Sequence, residues 1–145
     1  MFKHILIPAD DDPDSRRAFV YGVEVAKRFG ARITGFHVMS EFTRWTGLAE
    51  LLEPPPDKLL TEAEKHSAKV LAPLERLAEK SGVRCDAVSE PGENAAEAII
   101  KAAKRLKCDL IVMASHGRVG LARCVVGSET RKVLDRGSLP VLVVR

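Results

Sequence analysis

The amino-acid sequence predicts one α/β domain over residues 1–145, a doubly wound five-stranded parallel sheet with helices on both faces. Short runs of consecutive apolar residues alternate with amphipathic stretches of helical period along the whole chain. Strands that are apolar at every position are typical of parallel sheets buried on both faces. A chain of 145 residues is also long enough to bury one self-sufficient core.

The first two strands and the helix between them have clear boundary signals. Residues 5–7 are an apolar run that ends at Pro8, which predicts a buried strand. Apolar residues then recur at helical spacing over residues 18–29, and Gly30 stands where a helix C-cap is expected. A second strand is predicted over residues 33–38.

A long amphipathic helix is predicted in the middle of the chain. Residues 43–56 before it are expected to be irregular, because the three prolines at 54–56 cannot continue a helix. Apolar residues at helical spacing run from Leu60 to Leu77, and the helix should end near Gly82. Pro73 inside this stretch is expected to kink or split it.

The second half of the chain repeats the alternation. Residues 83–89 carry apolar side chains at alternate positions, which predicts a third strand. Asn94 followed by Glu97 resembles a capping box that opens the next helix. Two buried strands and one helix complete the chain, over residues 110–113, 141–144 and about 128–136.

Composition excludes several classes of function. Aromatic residues make up 5% of the chain, which argues against a stacking platform for single-stranded nucleic acid. The net charge of +3 is too weak to indicate DNA or a membrane surface as partner, and no apolar run approaches the roughly 20 residues of a membrane span. The start lacks signal-peptide features. Three widely spaced cysteines without zinc-ligand spacing predict reduced thiols in the cytoplasm.

Ligand chemistry is expected beyond the carboxyl ends of the first, second and fourth strands. The loop after the fourth strand begins Ala114-Ser115-His116-Gly117 and, nine residues after Gly117, ends with Gly127-Ser128 at a helix start. Glycine lets the backbone approach a ligand closely, and a helix N-terminus favours a phosphate, to which Arg118 and Arg123 could add charge. The alternative is that the glycines only shape a turn and Ser128 only caps the helix.

Four acids follow the first strand within five residues, in Asp10-Asp11-Asp12-Pro13-Asp14. Asp10 is placed to accept hydrogen bonds from sugar hydroxyls or to hold a metal, and Asp10, Asp11 and Asp12 are candidate Mg²⁺ ligands. The alternative is that the loop caps the first helix, which suits Asp14 or Ser15.

No catalytic residue is predicted. A Ser115, His116 and Asp10 triad can be drawn on paper, but Ser115 and His116 are adjacent in sequence, and neighbouring side chains rarely meet as nucleophile and base. The chain also has no Gly-x-Ser-x-Gly nucleophile elbow.

Four segments together carry a resemblance. They are Ile5-Leu6-Ile7-Pro8-Ala9-Asp10, Asp109-Leu110-Ile111-Val112-Met113, the Gly117, nine-residue, Gly127-Ser128 spacing, and Pro140-Val141-Leu142-Val143-Val144. In this order the chain resembles the universal stress protein family, of the UspA type, from Ile5 to Val144. The resemblance implies the strand order 3-2-1-4-5, a cytoplasmic role in stress survival, and a homodimer joined through the last strand (Val141, Leu142, Val143, Val144).

One branch of that family binds ATP with the loop pattern Gly-x2-Gly-x9-Gly-Ser/Thr, and this sequence is closer to that branch. The nucleotide-binding residues that the resemblance implies are Pro8, Ala9, Asp10, Val38, Met113, Ala114, His116, Gly117, Gly127, Ser128 and Glu129. Ala114 departs from the first glycine of the pattern, and Asp11 and Asp12 stand where the family often has Gly-Ser. Because carboxylates repel a triphosphate, either Mg²⁺ lies between them, the acids point away, or the pocket prefers a less charged adenylate.

The resemblance therefore predicts a stress-response regulatory protein that binds ATP or AMP, with Mg²⁺ as a candidate companion ion. Turnover is expected to be at most slow ATP hydrolysis or self-phosphorylation, because no general base is evident. The alternative is a nucleotide-free signalling or structural homodimer of the same family. A phosphoacceptor receiver domain is disfavoured, because strand three ends in Ser89-Glu90-Pro91 without an acceptor aspartate and only Arg145 follows the last strand.

Overall fold

Five strands and four helices alternate in the computed structural model, which describes residues 1–39, 56–115 and 126–145. The strands are β1 (His4–Pro8), β2 (Arg32–Met39), β3 (Cys85–Pro91), β4 (Leu110–Ala114) and β5 (Val141–Val144). The helices are α1 (Ser15–Phe29), α2 (Pro56–Lys80), α3 (Ala95–Arg105) and α4 (Ser128–Arg136). The predicted irregular segment 43–56 lies outside the described residues except for Pro56. Within the described ranges, no helix combines the length and apolar character needed to cross a membrane.

All five strands are parallel and lie in the order β3-β2-β1-β4-β5, so the predicted fold and strand order are confirmed. The central strand β1 places Ile5 beside Ile33 of β2 on one side and beside Leu110 of β4 on the other. The strand order reverses between β1 and β4, so the loops that follow these two strands leave toward opposite faces. Such a reversal opens a crevice at the carboxyl edge of the sheet.

Alternation along the strands divides the core into two layers. Ile5 and Ile7 of β1 pack with α1 and α2 on one face, and Leu6 packs with α3 and α4 on the other. All three side chains are fully buried. The continuous apolar runs of the sequence therefore result from strands that are covered on both faces.

Three helices end through a residue with left-handed backbone. Gly30 follows α1 with φ 63°, as predicted, and Gly82 follows α2 with φ 69°. Lys107 takes the same conformation after α3, with φ 55°, although an L side chain is strained there. In each case the next residue donates its N–H to a carbonyl five residues back, as Ala31 does to Ala26 at 2.9 Å.

The prediction for the middle helix was partly wrong. Pro56 is the first residue of α2 rather than part of an irregular segment, because the first turn of a helix needs no N–H donor from its leading residue. Pro73 does not split the helix, which continues to Lys80. A proline removes one hydrogen bond to the carbonyl four residues back, and packing of Leu71 and Leu74 on the sheet keeps the helix continuous.

The third strand begins two residues later than predicted. Val83 was assigned to the strand, but its N–H donates to the Ala78 carbonyl at 2.9 Å and so belongs to the end of α2. Strand β3 starts at Cys85 and extends to Pro91. Val83 is apolar because it is buried beneath the helix end, not because it lies in the sheet.

Candidate functional site

A cleft of about 200 Å³ lies at the carboxyl edge of the sheet, between the ends of β1, β2 and β4 and the starts of α3 and α4. This is the position expected for ligand binding in a doubly wound sheet. Its lining consists of Pro8, Ala9, Asp10, Ser15, Phe36, His37, Val38, Ala95, Ile99, Met113, Ala114, Gly127, Ser128, Glu129 and Thr130.

The cleft brings together every predicted nucleotide-binding residue that the structure describes, whereas the candidate metal ligands Asp11 and Asp12 do not line it. Pro8, Ala9 and Asp10 come from the end of β1, Val38 from β2, Met113 and Ala114 from β4, and Gly127, Ser128 and Glu129 from the start of α4. His116 and Gly117, together with Arg118 and Arg123, lie outside the described residues. The structure thus groups the predicted residues, and their role in binding a ligand stays a prediction.

Small residues form the floor of the cleft. Ala9 donates its N–H to the Phe36 carbonyl at 2.8 Å, which fixes the backbone just beyond β1 beside β2. Ala9 and Ala114 are almost fully buried, and both pack into the core layer that faces α1 and α2. Phe36, Ile99 and Met113 supply an apolar wall from the other layer. The floor and wall can therefore receive a flat apolar group such as a nucleobase.

The acidic loop after β1 folds on itself. Asp10 Oδ1 accepts the N–H of Asp12 at 3.0 Å and also the hydroxyl of Ser15. Asp12 Oδ1 accepts the N–H of Asp14 at 2.9 Å. Asp14 stands at the N-cap of α1, as the capping alternative expects, but its side chain makes no capping hydrogen bond. Asp10 and Asp12 order the helix entry instead, through local turns that aspartate favours.

Asp11 points out of the acidic loop toward α2. Its Oδ2 lies 2.9 Å from Nε2 of His66, a contact between residues 55 positions apart. Among the residues with described coordinates, no group of three or more His, Cys, Asp or Glu side chains is arranged to hold a metal. Asp10, Asp11 and Asp12 therefore do not converge into a magnesium cage made by the protein alone.

His37 is a buried lining residue that the sequence did not single out. Its Nδ1 lies 2.8 Å from the Ala9 carbonyl oxygen, which can only accept, so Nδ1 carries the proton. The ring contacts His66 edge to face, with 5.8 Å between the ring centroids. The one available signal was its position in β2 directly before Val38, at the carboxyl end where ligands bind.

The start of α4 forms part of the cleft wall. Gly127 is the N-cap and Ser128 the first helical residue, so the alternative in which Ser128 caps the helix is wrong. The N–H of Gly127 donates to the Ser115 hydroxyl at 3.3 Å. The N–H groups of the first helical turn have no partner within the helix itself, so they are candidate donors to a ligand beside the exposed Ser128.

Glu129 in that first turn connects α4 to α3. Its Oε2 accepts the N–H of Ala96 at 3.1 Å, and its Oε1 accepts from Nζ of Lys132 at 2.7 Å. The hydrogen bond from Lys132 holds the pKa of Glu129 below its usual range, and the Ala96 N–H acts in the same direction against burial. Glu129 therefore presents an ionised carboxylate at the start of both helices.

Sequence comparisons relate this chain to known proteins over its full length. The profile of the Universal stress protein family matches residues 1–145. Universal stress protein YxiE of Bacillus subtilis is 32% identical over 149 residues, with both chains covered completely. A universal stress protein of Thermus aquaticus is 34% identical over 146 residues, again across both full lengths.

Solved structures share the fold. Universal stress protein UspA from Lactobacillus plantarum superposes with a TM-score of 0.80 at 25% identity, covering 99% of this chain and 98% of the other. A universal stress protein in complex with cAMP has a TM-score of 0.75 at 18% identity, covering 99% of this chain and 97% of the other. A family member from Arabidopsis thaliana with AMP bound has a TM-score of 0.67 at 17% identity, covering 98% of this chain and 90% of the other.

Proposed function

This chain belongs to the universal stress protein family, and from that premise we propose that it is a stress-response regulatory protein that binds an adenine nucleotide. The observation that carries this function is the cleft itself. An apolar wall, a floor of two alanines and a helix N-terminus meet at the point where the strand order reverses. The family resemblance also implies a cytoplasmic location, which we adopt in the same proposal.

Each part of the cleft suits one part of a nucleotide. The base would lie against Val38, Ile99 and Met113, whose side chains are apolar. Asp10 lines the cleft, and its carboxylate could accept a hydrogen bond from a ribose hydroxyl. The N–H groups beside Gly127 and Ser128 would receive the phosphate that follows the ribose.

AMP or ATP is the expected ligand. The solved relatives named as complexes with cAMP and with AMP support an adenine ligand, although at 18% and 17% identity their likeness is one of fold. Asp11 is turned toward His66, which removes one of the carboxylates expected to repel phosphate. Mg²⁺ would arrive with a polyphosphate, since this ion is usually held by one or two carboxylates together with substrate phosphates.

Isothermal titration with adenosine, AMP and ATP, each with and without Mg²⁺, tests the proposal. Ser128→Asp puts a negative charge at the helix start, which is compatible with the helix dipole but repels phosphate. It should weaken AMP binding and leave adenosine binding unchanged. Ser138→Asp adds the same charge two residues after the end of α4, away from the cleft, and controls for the added charge alone. Absence of saturable binding of every adenine compound at millimolar concentration would remove the proposal.

We also propose that two copies of the chain associate through β5. This strand is at one edge of the sheet, and Val141, Leu142 and Val143 are only half-buried there. An apolar parallel edge strand needs a cover, and a second copy supplies one. Val143→Lys should convert a dimer to a monomer in sedimentation velocity, and Ala87→Lys on the opposite edge strand β3 should not. A monomeric wild type would contradict this interface.

A nucleotide-free homodimer is the second candidate function. It is favoured by the acidic loop, where Asp10 is already engaged by Asp12 and Ser15 and so has less capacity for a ribose. This candidate predicts no thermal shift with any adenine compound, because only a ligand that binds the folded state raises the melting temperature.

A further inference from the structure

In the part of the cleft wall that the structure describes, the charged side chains at the end of β1 and the start of α4 are both acidic. Among the lining residues that the structure describes, Asp10 and Glu129 carry carboxylates, and neither lysine nor arginine is present. Glu129 is in the first turn of α4, at the very helix start where phosphate is proposed to bind. An anionic ligand must therefore share this end of the cleft with an anionic side chain.

Two contacts hold Glu129 in this position. Its Oε2 accepts the Ala96 N–H at the start of α3, and its Oε1 accepts from Lys132 one turn along α4. One carboxylate thus compensates the positive ends of two helices, which otherwise attract anions. Lys132 neutralises part of the charge but does not itself line the cleft. A first phosphate can use the remaining N–H groups near Gly127, whereas further phosphates add negative charge beside the Glu129 carboxylate.

We propose, building on the nucleotide binding inferred above, that Glu129 sets the phosphate count of the ligand. It admits adenosine derivatives that carry one phosphate and disfavours di- and triphosphates. Glu129 is then a specificity-determining residue, and the physiological ligand class is an adenosine monophosphate.

Charge removal without loss of shape tests this role. Glu129→Gln keeps an oxygen that can accept the Ala96 N–H but removes the negative charge. Glu97→Gln is the matched control, because Glu97 also lies in the first turn of a helix and pairs with a lysine, Lys101, at 2.6 Å, but it does not line the cleft. Thermal unfolding of all three proteins establishes that each is folded before binding is compared.

Dissociation constants for adenosine, AMP, ADP and ATP are then measured by titration calorimetry in the absence of divalent ions. The wild type should bind AMP more tightly than ATP. Glu129→Gln should raise ATP affinity on the order of tenfold, which corresponds to about 1.4 kcal/mol, and leave adenosine affinity unchanged. Glu97→Gln should match the wild type for every compound.

The outcomes separate this inference from the proposed function. If adenosine and all its phosphates fail to bind, the nucleotide site itself is wrong. If they bind but the ratio of ATP to AMP affinity is the same in wild type and Glu129→Gln, the role of Glu129 is overturned. The ATP titration is then repeated with Mg²⁺. If Mg²⁺ makes the wild type bind ATP more tightly than Glu129→Gln does, the Glu129 carboxylate is a metal ligand rather than a barrier to further phosphates. That result also overturns the proposed role of Glu129.

Discussion

The hydroxyl of Thr130 donates to the carbonyl of Ala114 at 3.1 Å. Thr130 lies in the first turn of α4 and is 1% exposed, and Ala114 is the last residue of β4. This buried bond, together with the one from the Gly127 N–H to the Ser115 hydroxyl, holds the start of α4 over the end of the sheet. The positions of Gly127 and Ser128 at the cleft follow from it.

Replacing Thr130 by valine should therefore destabilise the fold and loosen the cleft. The valine side chain has nearly the same shape but no hydroxyl, so the free energy of unfolding should fall by about 1–3 kcal/mol. Urea denaturation measures the change. Thr130→Ser keeps the hydroxyl donor, so its free energy of unfolding should fall less than that of Thr130→Val. An equal fall in the two variants would show that the hydrogen bond contributes little to stability.

Asp109 should stabilise the start of the central strand. Its Oδ2 accepts the N–H of Lys3 at 2.7 Å, and its Oδ1 accepts the N–H of His4 at 3.1 Å. Asp109→Ala removes both acceptors, and hydrogen bonds to a charged group are each worth about 1.5–3 kcal/mol. Chemical denaturation should show that the free energy of unfolding of Asp109→Ala falls by that order. The fall should be smaller for Asp109→Asn, which keeps one acceptor oxygen. Wild-type stability in the alanine variant would contradict the role.

The buried His4 should make stability fall in mild acid. Burial lowers the pKa of His4 below 6.5, and the positive charge of Arg32 adds to this. Nδ1 donates to the Leu106 carbonyl, which leaves Nε2 to accept from the Thr34 hydroxyl at 2.8 Å, so the folded protein holds the neutral ring.

Because the folded pKa is the lower one, the unfolded chain binds more protons just below pH 6.5. The contribution of His4 is therefore complete above pH 6.5 and is lost as the pH falls toward the lowered folded pKa. Urea denaturation from pH 8 to pH 5 should show this loss in the wild type. The free energy of unfolding of His4→Gln should change less over the same pH range. An equal pH dependence in the two proteins would refute the role given to His4.

The left-handed residues at the helix ends should respond to substitution in opposite directions. At Gly30 a Cβ would meet no atom within 4 Å, so Gly30→Ala tests backbone strain alone. It should destabilise by about 1–2 kcal/mol, the cost of the left-handed conformation for an L residue. Lys107→Gly relieves the same strain and should raise the melting temperature. A drop in both variants would show that the Lys107 side chain contributes more than its strain costs.

Local patterns were sufficient for most of the fold. Several elements lie where the sequence predicts them, namely the strands at residues 5–7 and 141–144 and the helix over 128–136. Their type follows from the spacing of apolar residues that are close together in sequence. The Asn94 side chain accepts the Glu97 N–H at 3.1 Å, which confirms the N-cap half of the predicted capping box, while the Glu97 carboxylate pairs with Lys101. The exceptions were Pro56, which the first position of a helix accepts, and Pro73 and Val83, where packing against the sheet or a helix end overrode the local pattern.

The sequence by itself determined the type and order of the elements and, through the family resemblance, which residues meet at the carboxyl edge. Only the tertiary structure decided how the charges there are shared. Glu129 reaches Ala96 across 33 residues, and Asp11 reaches His66 across 55. Such contacts depend on where the crossovers place two helix ends relative to one sheet edge. The spacing of apolar residues within one segment does not encode these contacts, because the distance between two helix ends is set by how whole helices and strands pack on the core.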